Sequence, residues 1–176
     1  MSTSTTKKTT RPQAFTLIEL LVVISIIAIL ASLAFPAVNG AMDSAKKAQA
    51  KNNAVQIANA VVAYETEYGR LPGNGTTTVD STFMKILTAN DSVNNPRAIV
   101  FLEASEWKKG KGGTNSLGYC DPWTATTPYS IALDTDYNNK VDVSTTGTAS
   151  GSYSIMKKVG VWNVSTNTRY RINSWD

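Results

Sequence analysis

At 176 residues, with 42% apolar side chains and a net charge of +4, the chain has room for one domain and an appendage. It contains no histidine and one cysteine, Cys120, which excludes Ser-His and Cys-His catalytic pairs, histidine metal ligands and an intramolecular disulfide. Lys7, Lys8 and Arg11 precede the first apolar block; with those three removed from the 17 basic residues, 14 remain against 13 acidic. The overall charge therefore gives no reason to expect an electrostatic nucleic-acid binder.

The apolar block runs from Leu20 to Val38, relieved by Ser25, Ser32 and Pro36, with Glu19 just before it. That length suits a helix crossing a hydrocarbon core about 30 Å thick at about 1.5 Å per residue. In lipid an unpaired backbone group is so costly that a helix is the solution open to a single segment. The upstream basic residues predict a cytoplasmic N-terminus. By these features alone three readings stand: a secretory signal cleaved after Ala34 at Ser32-Leu33-Ala34, a plain membrane anchor, or a leader cut before the apolar run. Pro36 lacks an N–H and crowds the carbonyl of Ser32, so a kinked but continuous helix is expected there.

The stretch Ala14 to Ala31, "AFTLIELLVVISIIAILA", resembles the N-terminal signature of type IV prepilins and type II secretion pseudopilins. The resemblance implies cleavage between Ala14 and Phe15 by a prepilin peptidase, which then N-methylates Phe15. Ala14 stands where the family usually has Gly. The resemblance also places Glu19 at the family's acidic position, where it pairs with the new α-amine of a neighbouring or the same subunit during assembly. Without the flanking motif, Glu19 reads as a carboxylate near a helix start, favoured by the helix dipole and snorkelling to the interface. Pro36 matches a family position where the helix unwinds on packing into a filament.

From Ala41 to Tyr68 helix formers dominate. Ala54, Ile57, Ala58, Val61 and Tyr68 mark one face, extended by Ala45 and Ala48, while Lys46, Lys47, Lys51, Asn52 and Asn59 take others. Gly69 ends the pattern. Ser81 to Ala89 predicts a short helix capped by Asp80 or Ser81. Strand-like runs follow at 98–102, 129–133, 140–143, 153–162 and 169–175. Between the first two, "EWKKGKGGTNSLGYCDPW" reads as a long mobile connection, with Lys108, Lys109 and Lys111 solvated rather than a nucleic-acid patch.

"LDTDYNNKVDV" spaces Asp134, Asp136, Asn138 and Asp142 as oxygen ligands for a hard cation such as Ca²⁺. Asn139 and Thr145 stand where an EF-hand has Gly and Glu, so a true EF-hand is not expected. With Asp121, Pro122 and Trp123 upstream, the region resembles the calcium-binding C-terminal part of major pseudopilins. The alternative is an Asx-rich turn whose carboxylates cap backbone N–H groups. Ser-x-x-Lys occurs at Ser105–Lys108 and Ser154–Lys157 without companion motifs, and no phosphate loop, zinc cluster or nucleophile elbow is present, so no enzyme is expected.

The expected architecture is α+β: a long N-terminal helix on a small antiparallel sheet, the pilin-like plan. Its parts are a leader at 1–14, a transmembrane and assembly segment at 15–40, an amphipathic helix at 41–68 and a head at 69–176. The family resemblance implies a structural subunit of a type II secretion pseudopilus, anchored in the inner membrane with a periplasmic head. Its partners would be further copies and related pilins, prepilin peptidase, the inner-membrane assembly platform and membrane lipid. A type IV pilus subunit for adhesion, twitching or DNA uptake is the nearest alternative, and a secreted binding module the alternative of another class.

Overall fold

The computed structural model describes residues 15–73, 75–145, 151–165, 167 and 170–175. The leader, including Ala14, lies outside them. Helix α1 spans Leu17–Tyr68. Inside its apolar half the two serines return their hydroxyls to the helix backbone, Ser25 Oγ to the Leu21 carbonyl (2.8 Å) and Ser32 Oγ to the Ile29 carbonyl (2.7 Å). Neither therefore leaves a donor without a partner where water is absent. The helix continues through Pro36, although this residue has no N–H to offer the Ser32 carbonyl. It stops at Gly69, whose φ of +66° turns the chain left-handed while its N–H donates to the Glu65 carbonyl at 2.8 Å.

The chain divides into two compact units between Met42 and Asp43. In the first, the large apolar side chains from Phe15 to Val38, Pro36 aside, are exposed. Among its described residues the second contains the rest of α1, helix α2 (Ser81–Leu87) and strands β1 (Gly113–Thr114), β2 (Tyr119–Cys120), β3 (Ser130–Leu133), β4 (Val141–Thr145), β5 (Gly151–Ile155) and β6 (Val159–Trp162). Among the described residues the strand ladders are antiparallel. β1 pairs with β2, β3 with β6 in the register Ser130↔Trp162 to Leu133↔Val159, and β4 with β5 in the register Val141↔Ile155 to Thr145↔Gly151. This is an α+β head, with the main core formed where Ala54, Ile57, Val61 and Tyr64 of α1 meet Phe83 and Leu87 of α2, Tyr129, Ile131 and Val161. A second, smaller core joins Val141, Val143 and Trp162 to Ile155 and Trp175. Gly160 lets the β4–β5 hairpin approach β6, because a Cβ there would sit 3.0 Å from Val143 Cγ1 and 3.2 Å from Trp175 Cζ3.

Several local expectations are corrected. Residues 98–102 form no strand: the N–H groups of Phe101 and Leu102 both go to the Leu87 carbonyl at the end of α2, and that of Ile99 goes to the Asn95 side chain. The run at 153–162 divides, because its first part pairs with β4 and its second with β3. Residues 170–175 make one bridge, Trp162↔Asn173, rather than a strand. The glycine-rich connection is packed, with Gly112, Gly113 and Gly118 to Pro122 buried and Glu106, Ser116, Leu117 and its lysines exposed. Upstream on α1, Ala45 and Ala48 are exposed; the buried stripe begins at Ala50 and includes Asn53.

Candidate functional site

The start of α1 is organised by two side chains. Glu19 Oε2 accepts both the Thr16 backbone N–H (2.8 Å) and the Thr16 hydroxyl (2.6 Å), while the Glu19 N–H donates to Thr16 Oγ1 at 3.3 Å. Thr16 is the N-cap and Glu19 the third helical residue, so the pair is a reciprocal capping box. The spacing Thr-x-x-Glu was present in the sequence as a signal for this, and Thr16 is the residue that motif-based reading of the segment passed over. Glu19 Oε1 takes no hydrogen bond among the described residues. Phe15 lies one residue before this cap, whose carboxylate still has accepting capacity.

Fifteen large apolar side chains between Phe15 and Val38 are exposed. On a membrane-insertion scale each contributes roughly 0.3–0.6 kcal/mol at a helix centre, about 5–9 kcal/mol together. A charged side chain opposes this by about 2.5–3.5 kcal/mol at the centre and less near an end. The apolar term wins whether or not Glu19 has a partner, and the helix fits a single-pass membrane anchor.

The Asp-rich turn between β3 and β4 engages its carboxylates in local hydrogen bonds. Asp134 is buried, and its two oxygens accept the N–H groups of Asn138 (2.9 Å) and Asn139 (2.7 Å). Those bonds hold Tyr137 and Asn139 at φ of +57° and +60°, the Asx-turn use of a carboxylate. Asn138 Nδ2 donates to Asp136 Oδ2 at 2.7 Å, and Asp142 on β4 accepts from the Ser154 hydroxyl on β5. Asp136, Asn138 and Asp142 line one cavity of about 630 Å³ with Thr76, Ser130 and Trp162; Asp134 does not. Among the described residues no three His, Cys, Asp or Glu side chains converge as a metal cluster. What a calcium ion would find is a rim of two carboxylates and one amide with the Lys140 cation in the same wall, short of the six to eight oxygens it takes unless hydroxyls and water complete the set.

Asp121, upstream, is a structural node. Its carboxylate is buried and accepts the N–H groups of Trp123 (2.9 Å) and Thr124 (2.8 Å) and Nδ2 of Asn163 (2.9 Å), while its carbonyl accepts Trp107 Nε1. Asn163 in turn holds the C-terminal segment through the Tyr170 carbonyl and the Ile172 N–H. The turn at Asp121 is thereby tied to the chain's last residues. Of the Ser-x-x-Lys pairs, Ser154 gives its hydroxyl to Asp142, and Lys157 lies in the bend after β5.

Residues 10–35 match the family model described as the prokaryotic N-terminal methylation motif. Comparison with curated proteins gave no match, and comparison with solved structures gave none either. The chain carries a prepilin-type N-terminal methylation motif at the start of a long apolar helix, and this combination supports a type IV pilin- or pseudopilin-type structural subunit.

Proposed function

We propose that the chain is a type II secretion pseudopilin: it is cut between Ala14 and Phe15, methylated on the new Phe15 amine, held in the inner membrane by α1 with its head in the periplasm, and assembled into a filament that drives protein export. The observation carrying this reading is the methylation motif on a helix whose apolar half is exposed throughout. Lipid covers such a surface in the free subunit and neighbouring copies cover it in a filament. Prepilin peptidase and an inner-membrane assembly platform are the partners the route requires. Lys7, Lys8 and Arg11 support a cytoplasmic N-terminus. Pseudopilus is favoured over surface pilus by the lack of a cysteine pair and by the Asp121 and Asp134 turns bracing the C-terminal half.

In this reading Glu19 both caps α1 and receives an α-amine, its own or a neighbour's, through the oxygen the cap leaves open. Glu19→Val leaves membrane insertion and cleavage intact and lowers filament incorporation; incorporation at the wild-type level removes the assembly role. Surface filaments on intact cells would favour the type IV pilus reading over the periplasmic one. Calcium at the rim formed by Asp136, Asn138 and Asp142 is a subordinate proposal, supported by their shared cavity. It predicts that millimolar Ca²⁺ raises the Tm of the detergent-solubilised protein and that Asp136→Ala abolishes the rise, whereas an Asx turn alone predicts no calcium effect.

A further inference from the structure

The near-neutral charge of the chain beyond Phe15 hides a local concentration of cations within the head. Lys47 and Lys51, one turn apart on α1, and Arg171 near the C-terminus line a single cavity of about 290 Å³, together with Ala48, Ile172 and Asn173. No acidic side chain lines it among the described residues; Asp43, one turn before Lys47 on α1, lies outside its wall. Among the described residues no ion pair engages any of the three cations. Arg171 gives its Nε–H to the Ser165 carbonyl at 3.4 Å, and its Nη2 is buried without a hydrogen-bond partner. A guanidinium nitrogen left that way is costly, and an oxyanion is the ligand chemistry that relieves it.

Charge and shape select the oxyanion. Three positive charges around one small cavity attract a dianion about twice as strongly as a monoanion. That favours a phosphate or phosphate monoester, which carries about −1.5 to −2 at neutral pH, over a carboxylate or a phosphodiester, which carries a single charge. The planar guanidinium fork suits two oxygens of one phosphoryl group, and the two lysines add point charges for the rest. Half of the lining comes from α1 and half from the C-terminal segment, so one bound anion touches both. We propose that Lys47, Lys51 and Arg171 bind a phosphate dianion, free or as the phosphoryl group of a small monoester, and that the bound group clamps the C-terminal segment to α1. The clamp adds to the Trp162↔Asn173 bridge, which joins the same segment to β6. The site lies wholly in the head and holds whichever filament the chain serves.

The test is calorimetric titration of the full chain in neutral detergent at about pH 8, where the second phosphate proton is lost, and at constant ionic strength so that screening is equal. The probes are inorganic phosphate, glycerol 3-phosphate, acetate and dihexanoyl phosphatidylglycerol. Phosphate and glycerol 3-phosphate are expected to saturate one site and to raise the Tm, with acetate and the phosphodiester lipid roughly tenfold weaker, the difference one charge-assisted hydrogen bond makes. Lys47→Gln/Lys51→Gln, which changes helix-surface lysines and leaves the head's core intact, is expected to weaken phosphate roughly tenfold and to abolish the rise in Tm. Arg171→Lys keeps the net charge and loses the fork; a similar loss there separates a built site from a diffuse cationic field. Equal affinity for acetate overturns the proposal in favour of a carboxylate partner such as a second copy. Binding of phosphatidylglycerol as tight as that of phosphate overturns it in favour of a lipid headgroup. Phosphate affinity unchanged in both variants, or no phosphate binding at millimolar concentration in the wild type, overturns it outright.

Discussion

Asn95 shows how tightly single side chains are specified in the head. It is buried, its amide nitrogen donates to the carbonyls of Ile86 (2.8 Å) and Ile99 (2.7 Å), and its oxygen accepts from Tyr68 OH (2.6 Å) and the Ile99 N–H (3.1 Å). Asn95→Ala leaves the buried Ile86 carbonyl and three part-buried partners without their hydrogen bond, so a loss of about 2–4 kcal/mol in urea unfolding is expected; a loss below about 1 kcal/mol would show that water replaces the amide. Tyr129 gives a pH prediction. It is buried with its hydroxyl donating to the Ala50 carbonyl at 3.1 Å, and burial, reinforced by the Asp121 charge, pushes its phenol far above the ordinary range. Tyr119 is raised by burial as well. A raised folded pKa means that the contribution to stability is complete below the unfolded pKa of about 10 and is lost as pH rises above it. Stability should therefore fall above about pH 10, at about 1.4 kcal/mol per pH unit for each such group. In Tyr129→Phe the slope is shallower by one such group; an unchanged slope contradicts this assignment.

At the scale of elements, α1 depends on its first turn, and there the two roles of Glu19 separate experimentally. Glutamine completes a capping box as glutamate does, so Glu19→Gln preserves the helix start while removing the charge an α-amine would pair with. Thr16→Val removes the cap but keeps the carboxylate, and amides in the first turn should then exchange roughly fivefold faster, matching a cap worth about 1 kcal/mol. Filament incorporation should fall in Glu19→Gln and persist in Thr16→Val; the reverse pattern would make capping the reason for the glutamate. The elements also show what was legible. α1, α2 with its Asp80 cap, β3 and β4 follow from apolar period and end signals, because each is decided within its own segment. Residues 98–102 carry the same β-branched signal but spend their N–H groups on Leu87 and Asn95, a choice fixed by tertiary neighbours. Gly112, Gly113 and Gly118 suggested mobility, yet each permits a close backbone approach, as where a Cβ on Gly118 would fall 2.2 Å from the Val79 carbonyl oxygen.

At the scale of the whole molecule, the chain combines a head that buries its own core with an apolar helical half that remains exposed. Residues 10–35 match the N-terminal methylation motif, and the proposed route removes a leader immediately before the apolar run. A secreted binding module would instead lose that run along with Phe15 and Glu19, leaving the head without an assembly segment. The intact mass of the mature protein taken from its native membrane separates these outcomes most directly. The account predicts the mass of residues 15–176 plus one methyl group; a mass beginning at Phe35, or one retaining the leader from Met1, would contradict it.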